Sequence, residues 1–178
     1  FSHPNYANSP LPTAGAPIVT VSAFGNPLVE RAYASDYPVA AGQVAPVLVV
    51  LPVALPTGAL QSFQTWNQAA AGASPFASAG NVFNAYVLRP LGGNQYQIVY
   101  DSGQLTVPAL TNPGVSEIAT FPAPNVPVQA GDQIAFYGQG IPLDAGGGAD
   151  ALVYPAPAAP VQGGTITLGE ANFPVYSQ

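Results

Sequence analysis

The sequence contains no cysteine, no methionine and no lysine, and only one histidine and one tryptophan. Without cysteine there is no disulfide framework, no thiolate metal site and no cysteine nucleophile. A chain of 178 residues does not need such staples, because a domain of this size buries roughly 70% of the surface its unfolded chain exposes. The single histidine, His3, stands in a proline-rich stretch. A Ser-His-Asp triad needs a histidine held by a carboxylate on a rigid scaffold, and zinc needs three or four nitrogen or sulfur ligands. The composition offers neither, and no phosphate-binding or dinucleotide-binding glycine motif occurs. No catalytic residue, metal site or cofactor is therefore assigned, and the chain is not expected to be an enzyme.

Charge is the next scarcity. Only 6% of residues are charged, against about 25% in an ordinary soluble domain. The cations are Arg31 and Arg89; the anions are Glu30, Asp36, Asp101, Glu117, Asp132, Asp144, Asp150 and Glu170, for a net charge of −6. Nucleic-acid binding requires a basic stripe that displaces counterions, and two arginines do not make one. No apolar run reaches the length of a membrane-spanning helix; the longest, over 44–55, is broken by Pro46 and Pro52. Glycoside hydrolysis needs two facing carboxylates, and here the acids are scattered singly. Asp101, Glu117 and Asp132 read as turn caps or partners of Arg31 or Arg89. The first residue, Phe1, reads as the start of a mature chain whose signal peptide has been removed. An extracellular or cell-surface location is expected.

What is present in quantity is proline (21) and glycine (19), spread as punctuation between short runs rich in Val, Ile, Tyr, Phe and Thr. Such runs read as strands, here over 18–24, 31–37, 44–51, 59–66, 82–89, 96–105, 116–121, 133–137, 165–168 and 173–176. Tyr96, Ile98 and Tyr100 alternate onto one face. The loop 91–95, Leu-Gly-Gly-Asn-Gln, is of hairpin type. The only window open to a short helix or turn is 68–73. A Pro-Val-x-(Ala/Gly)-Gly-polar pattern recurs at 38–43, 127–132 and 160–165, each time just before a strand. It predicts a turn in which glycine supplies a positive φ. These features predict an all-β, antiparallel β-sandwich of about 8–10 strands with almost no helix. Residues 1–17 are expected to form an extended, proline-rich arm and 18–178 a single sandwich domain.

The run Val128-Gln129-Ala130-Gly131-Asp132-Gln133-Ile134-Ala135-Phe136-Tyr137 resembles the Gly-Asp-x-Ile strand start of jelly-roll domains in surface and carbohydrate-binding proteins. The resemblance covers about ten residues and implies a jelly-roll-like sandwich.

Two functional expectations follow. The first is a structural subunit of an extracellular filament, pilus-like fibre or surface layer, its partners copies of itself. Obligate interfaces are poor in charge, and a terminal segment can complete a neighbour's sheet by strand addition. The candidate assembly residues are Ile18, Val19, Val21 and Phe24 near the start, and Ile166, Leu168, Phe173 and Val175 near the end. The second is a secreted carbohydrate-binding or adhesion module, with polysaccharide as partner. Its candidate sugar-stacking aromatics are Trp66, Tyr86, Tyr100 and Tyr137. Asp144 and Asp150 flank a glycine run and are the carboxylates calcium would use, but calcium takes six to eight oxygens and no EF-hand spacing is present.

Overall fold

The central strand of the structure is its most apolar. Val47, Leu48, Val49 and Val50 form β1 (Val47–Val50), and all four side chains are buried. A strand buried on both sides reads as a continuous hydrophobic run, and alternation sends its residues to two different cores. The computed structural model describes residues 22–31, 47–70, 76–144 and 151–169, and the backbone of 173–177. Among the described residues there is no helix. The remaining strands are β2 (Gly58–Asn67), β3 (Val82–Gly92), β4 (Gln95–Thr106), β5 (Glu117–Val128), β6 (Gln133–Gly138), β7 (Leu143–Asp144), β8 (Ala151–Pro155), β9 (Thr165–Thr167) and β10 (Phe173–Ser177).

Eight strands form one sheet in the order β7-β10-β8-β1-β6-β3-β4-β9, and β2 with β5 form a second layer. Every pairing is antiparallel. The expected all-β, sandwich-like architecture is therefore present. Its strands divide eight and two, whereas a jelly roll shares eight strands between two sheets.

The core between the layers joins Val47 and Val49 of β1, Phe83, Ala85 and Val87 of β3, and Phe136 of β6 to Phe63 of β2 and Phe121 of β5. Two ring contacts lock the layers. Phe83 meets Phe121 edge-on with centroids 5.2 Å apart, and Phe63 stacks on Tyr100 at 6.1 Å. Both separations lie in the favourable range for aromatic pairs. The opposite face of the large sheet carries a second cluster, built on Leu48, Val50, Tyr86, Leu88, Ile98 and Leu168.

The turn chemistry follows the sequence. Gly93 (φ 57°) and Asn94 (φ 60°) occupy the two positive-φ positions of the β3–β4 hairpin, with Gly92 and Gln95 paired across it, as a two-residue type I′ loop requires. The repeated Pro-Val pattern gives a turn at 129–132, closed by Asp132 N–H on the Gln129 carbonyl with Gly131 at φ 95°. A second turn at 161–164 is closed by Gly164 N–H on the Val161 carbonyl with Gly163 at φ 80°. The two turns differ by one position along the pattern, because a second glycine at 163 offers an earlier positive-φ site. The copy at 38–43 lies outside the described residues.

Several boundaries differ from expectation. β5 continues past Phe121 through Pro122, Pro124 and Pro127, since an edge strand has one side on which no ladder donor is needed. β7 and β8, flanking the glycine run, carry no long alternating pattern and were not predicted. Residues 22–24 and Arg31 are not in strands; 18–21 and 32–37 lie outside the described residues. Residues 68–70 are not helical, and 71–73 lie outside. The end of β2 is held by buried polar groups instead. Asn67 Nδ2 donates to the Pro108 carbonyl (2.9 Å), Gln68 N–H to Ser78 Oγ (3.2 Å) and Ala69 N–H to Ser116 Oγ (2.9 Å).

One glycine is fixed by close approach. A Cβ at Gly138, φ 121°, would lie 2.6 Å from the Val82 carbonyl oxygen and 2.8 Å from Phe83 Cα. Backbone on both sides cannot yield as a flexible side chain would. Gly138→Ala is expected to lower stability by about 2–4 kcal/mol, combining overpacking with a strained φ. Urea denaturation measures the change, and a loss below about 1 kcal/mol is incompatible with this packing.

Candidate functional site

Among the described residues, ten strands in two open sheets leave four outer edges, and three of them are blunted. The large sheet ends on one side in β7, two residues long, and on the other in β9, three residues long. Very short edge strands are a standard protection against edge-to-edge pairing. Beyond β9 the outer side of β4 is occupied by its own neighbours. Asp101 N–H donates to Gln162 Oε1 (3.3 Å) and Gly103 N–H to Asp101 Oδ1 (2.9 Å). β5 carries Pro122, Pro124 and Pro127, all exposed, and a proline nitrogen has no hydrogen to offer a further strand. The fourth edge is β2: ten residues without a proline or a charged side chain.

An apolar groove of about 310 Å³ runs beside β2, floored by Leu51, Leu55, Leu60, Phe63 and Ile134. Residues 22–31 lie over it and run in the same direction as β2. Ser22 and Phe24 line the groove beside Leu60; further on, Trp66 Nε1 donates to Glu30 Oε2 (2.9 Å). At the far end the Gln68 side chain imitates a strand partner. It accepts from Arg31 N–H (3.1 Å) and donates to the Arg31 carbonyl (2.8 Å). Between these points β2 forms a ladder with β5 alone. Residues 22–28 thus border the edge of β2 without being a strand of its ladder, and Phe24 remains 52% exposed.

Of the assembly candidates, Phe24 borders this groove, while Ile18, Val19 and Val21 lie outside the described residues. The candidates near the other end are built into their own sheet. Ile166 pairs with Tyr96 in β9, and Leu168 is buried with its N–H on the Asn94 carbonyl. Phe173 and Val175 of β10 pair with Val153 and Ala151 of β8, and Tyr176 and Ser177 pair with β7. The four sugar-stacking candidates are not brought together. Trp66 belongs to the small layer and Tyr100 stacks on Phe63 between the layers. Tyr86 and Tyr137 sit on the opposite face, and Tyr86, 0% exposed, has no ring face open to a ligand. Asp144 lies in β7; Asp150 and His3 lie outside the described residues. Among the described residues no three His, Cys, Asp or Glu side chains gather as a metal site would need.

The acids expected to cap turns do so. Glu117 Oε1 accepts from Thr111 N–H at 2.9 Å. Asp132 accepts from Gln129 N–H at 2.8 Å and from Arg89 through two parallel bonds, Nε to Oδ1 and Nη2 to Oδ2, both 2.9 Å.

The tyrosines of the second cluster give the protein a pH limit. Burial pushes the Tyr86 phenol well above its ordinary value, and the Asp101 charge and Tyr137 add to the shift. Burial also raises Tyr137 and Tyr154, the latter helped by Tyr96. Asn84 gives an amide hydrogen to Asp101 Oδ1 (2.9 Å), and the Tyr86 hydroxyl is buried without a hydrogen-bond partner. A phenol whose folded pKa exceeds its unfolded value of about 10 stabilises the fold fully below that pH; the contribution is lost as pH rises through the folded value. Thermal melts should therefore decline steeply above about pH 10. Tyr86→Phe is expected to soften that decline and to be neutral or stabilising at pH 7, since an unpartnered buried hydroxyl costs about 1–3 kcal/mol. A clear loss of stability in this variant at pH 7 contradicts the assignment.

Comparison with protein-family models, with characterised proteins and with solved structures finds no match to this chain.

Proposed function

We propose that the chain is a non-enzymatic structural subunit that assembles with copies of itself through β-strand contacts into an extracellular filament or surface layer. The observation that carries the reading is the edge of β2, which among the described residues has no strand paired to it on the side away from β5, beside an apolar groove lined by residues 22–28. Where the other edges are shortened or proline-bearing, this one is long, neutral and proline-free, which is the condition for strand addition. The acceptor is β2 and its groove. The donor is the segment that ends at Phe24, supplied by a neighbouring copy. Such a contact is head-to-tail, so it propagates as a polymer and does not close. Low charge supports the same reading, because a surface covered by copies of itself is depleted in charged groups. Electron microscopy of the purified chain at rising concentration tests it. Filaments or sheets are expected, and a strictly monomeric protein across pH and salt rejects assembly.

A further inference from the structure

The ribbon of β2 and β5 leaves a second groove on its other side, between β5 and β4, of about 460 Å³. Its chemistry differs from that of the β2 groove. Four polar side chains, Arg89, Tyr100, Gln129 and Gln162, share its lining with the apolar Pro124 and Val126. Most of their hydrogen-bonding capacity is unused. Arg89 commits Nε and Nη2 to Asp132, which leaves three of a guanidinium's five N–H groups. Gln162 gives only its Oε1, to Asp101 N–H, and its amide hydrogens have no partner among the described residues. The side-chain amide of Gln129 and the Tyr100 hydroxyl have none either.

We propose that this groove binds a neutral saccharide. The volume falls within the range of about 300–1,000 Å³ usual for small-molecule sites, and a few fixed polar groups on an apolar lining is their usual make-up. A sugar presents hydroxyls that both donate and accept, together with an apolar C–H face. The groove answers both. Arg89 donates, the two glutamines and Tyr100 donate and accept, and Pro124, Val126 and the tyrosine ring meet the C–H face. Two of the polar groups are pre-positioned. The bidentate pair with Asp132 fixes the Arg89 fork, and the stack on Phe63 fixes the Tyr100 ring; rigid groups lose less entropy on binding. Neutrality follows from charge. Asp132 cancels Arg89, and the only other cationic side chain, that of Arg31, belongs to a residue whose backbone is held by Gln68 beyond the end of β2 and lines no part of this groove. An anionic ligand would find no net positive charge on a chain of −6. The sugar candidates suggested by the sequence contribute one residue, Tyr100; the rest of the site comes mainly from β3, β5 and two turns.

The inference is independent of assembly, since it uses β5 and not the edge of β2. The experiment is a titration of the isotopically labelled full chain with cellobiose, maltose, chitobiose and digalacturonate, each at millimolar concentration, followed by backbone amide shifts. The expected result is saturable shifts at residues 99–101, 129–131 and 161–163 with at least one neutral disaccharide. Gln129→Ala and Gln162→Ala, both at exposed positions that leave the fold intact, are each expected to weaken that binding about three- to tenfold, as loss of one hydrogen bond predicts. No shift with any neutral sugar overturns the proposal. So do shifts that neither variant changes, and so does a preference for digalacturonate, which points to anion recognition instead.

Discussion

Arg89→Ala is expected to be among the most damaging single changes in the protein, although the arginine is itself partly exposed. Its partner explains why. The Asp132 side chain is 1% exposed, whereas that of Arg89 is 26% exposed. Removing the guanidinium leaves a carboxylate out of water with one remaining donor, Gln129 N–H. Stranding a buried charge costs more than the intact pair contributes over an apolar replacement. The consequence spreads through the turn. Leu55 N–H donates to the Asp132 carbonyl at 2.7 Å, and Gly131 N–H to the Leu55 carbonyl at 3.0 Å. Loosening Asp132 therefore frees the connection between β1 and β2 as well as the start of β6. Asp132→Asn is expected to cost less, about 1–2 kcal/mol, because the amide oxygen still accepts from Gln129 and Arg89 is near enough to solvent to be hydrated. Urea denaturation of the two variants decides the matter by their order. If Asp132→Asn is the more destabilising, the turn cap rather than the buried charge dominates at this site.

The strand pattern was legible in the sequence wherever a β-branched or aromatic run is bounded by turn residues. β1 to β6, together with β9 and β10, stand where Val-, Ile- and aromatic-rich runs lie between glycines and prolines. β7 and β8 escaped because their pairing is decided by neighbours distant in sequence, β10 and β1, and two to five residues carry too little pattern to be seen alone. The extension of β5 escaped for the opposite reason. Proline reads as a strand stop, and only the knowledge that β5 is an edge removes that objection. The role of Asp132 was partly visible, since an acid after Pro-Val-Gln-Ala-Gly and a scarcity of cations pointed to a capped turn or an arginine pair; the structure has both. The aromatic platform was not recoverable by counting rings. Whether a tyrosine is buried, stacked or open depends on which face its strand turns outward, and the bulges opposite Asn84/Tyr86 and Val87/Leu88 defeat simple alternation along β4, so that Tyr100 faces the core between the layers while Tyr96 and Ile98 face the other cluster. The groove beside β2 could not be foreseen, because it is defined by what does not pair.

Deleting residues 1–24 is expected to abolish polymer formation while leaving a folded, β-rich monomer. The deletion stops short of the contacts that anchor residues 30 and 31 to Trp66 and Gln68. Among the described residues no strand pairing is removed either, since residues 22–24 belong to none. A second variant attacks the acceptor. Leu60 is half-buried against the core and lines the groove; Leu60→Asp places an inward-facing charge at the edge, a device that natural sheets use to refuse a further strand. It too is expected to be monomeric, at a cost in stability of about 1–3 kcal/mol from lost burial. Each variant alone is open to the objection that it merely damages the protein, and the mixture answers it. The truncated chain keeps an intact acceptor and has no donor; the Leu60→Asp chain keeps a donor and has no acceptor. Mixed in equal amounts, they should form a one-to-one dimer that cannot grow, because the single productive contact uses up both functional halves. Sedimentation or light scattering reads the mass directly. A dimer from two monomeric variants is the outcome that strand exchange at β2 requires. Filaments from the truncated chain alone remove the N-terminal segment as donor. Filaments from the Leu60→Asp chain remove the β2 groove as acceptor. If both variants are monomeric and the mixture stays so, the two changes do not act on complementary halves of one contact, and assembly must use another surface.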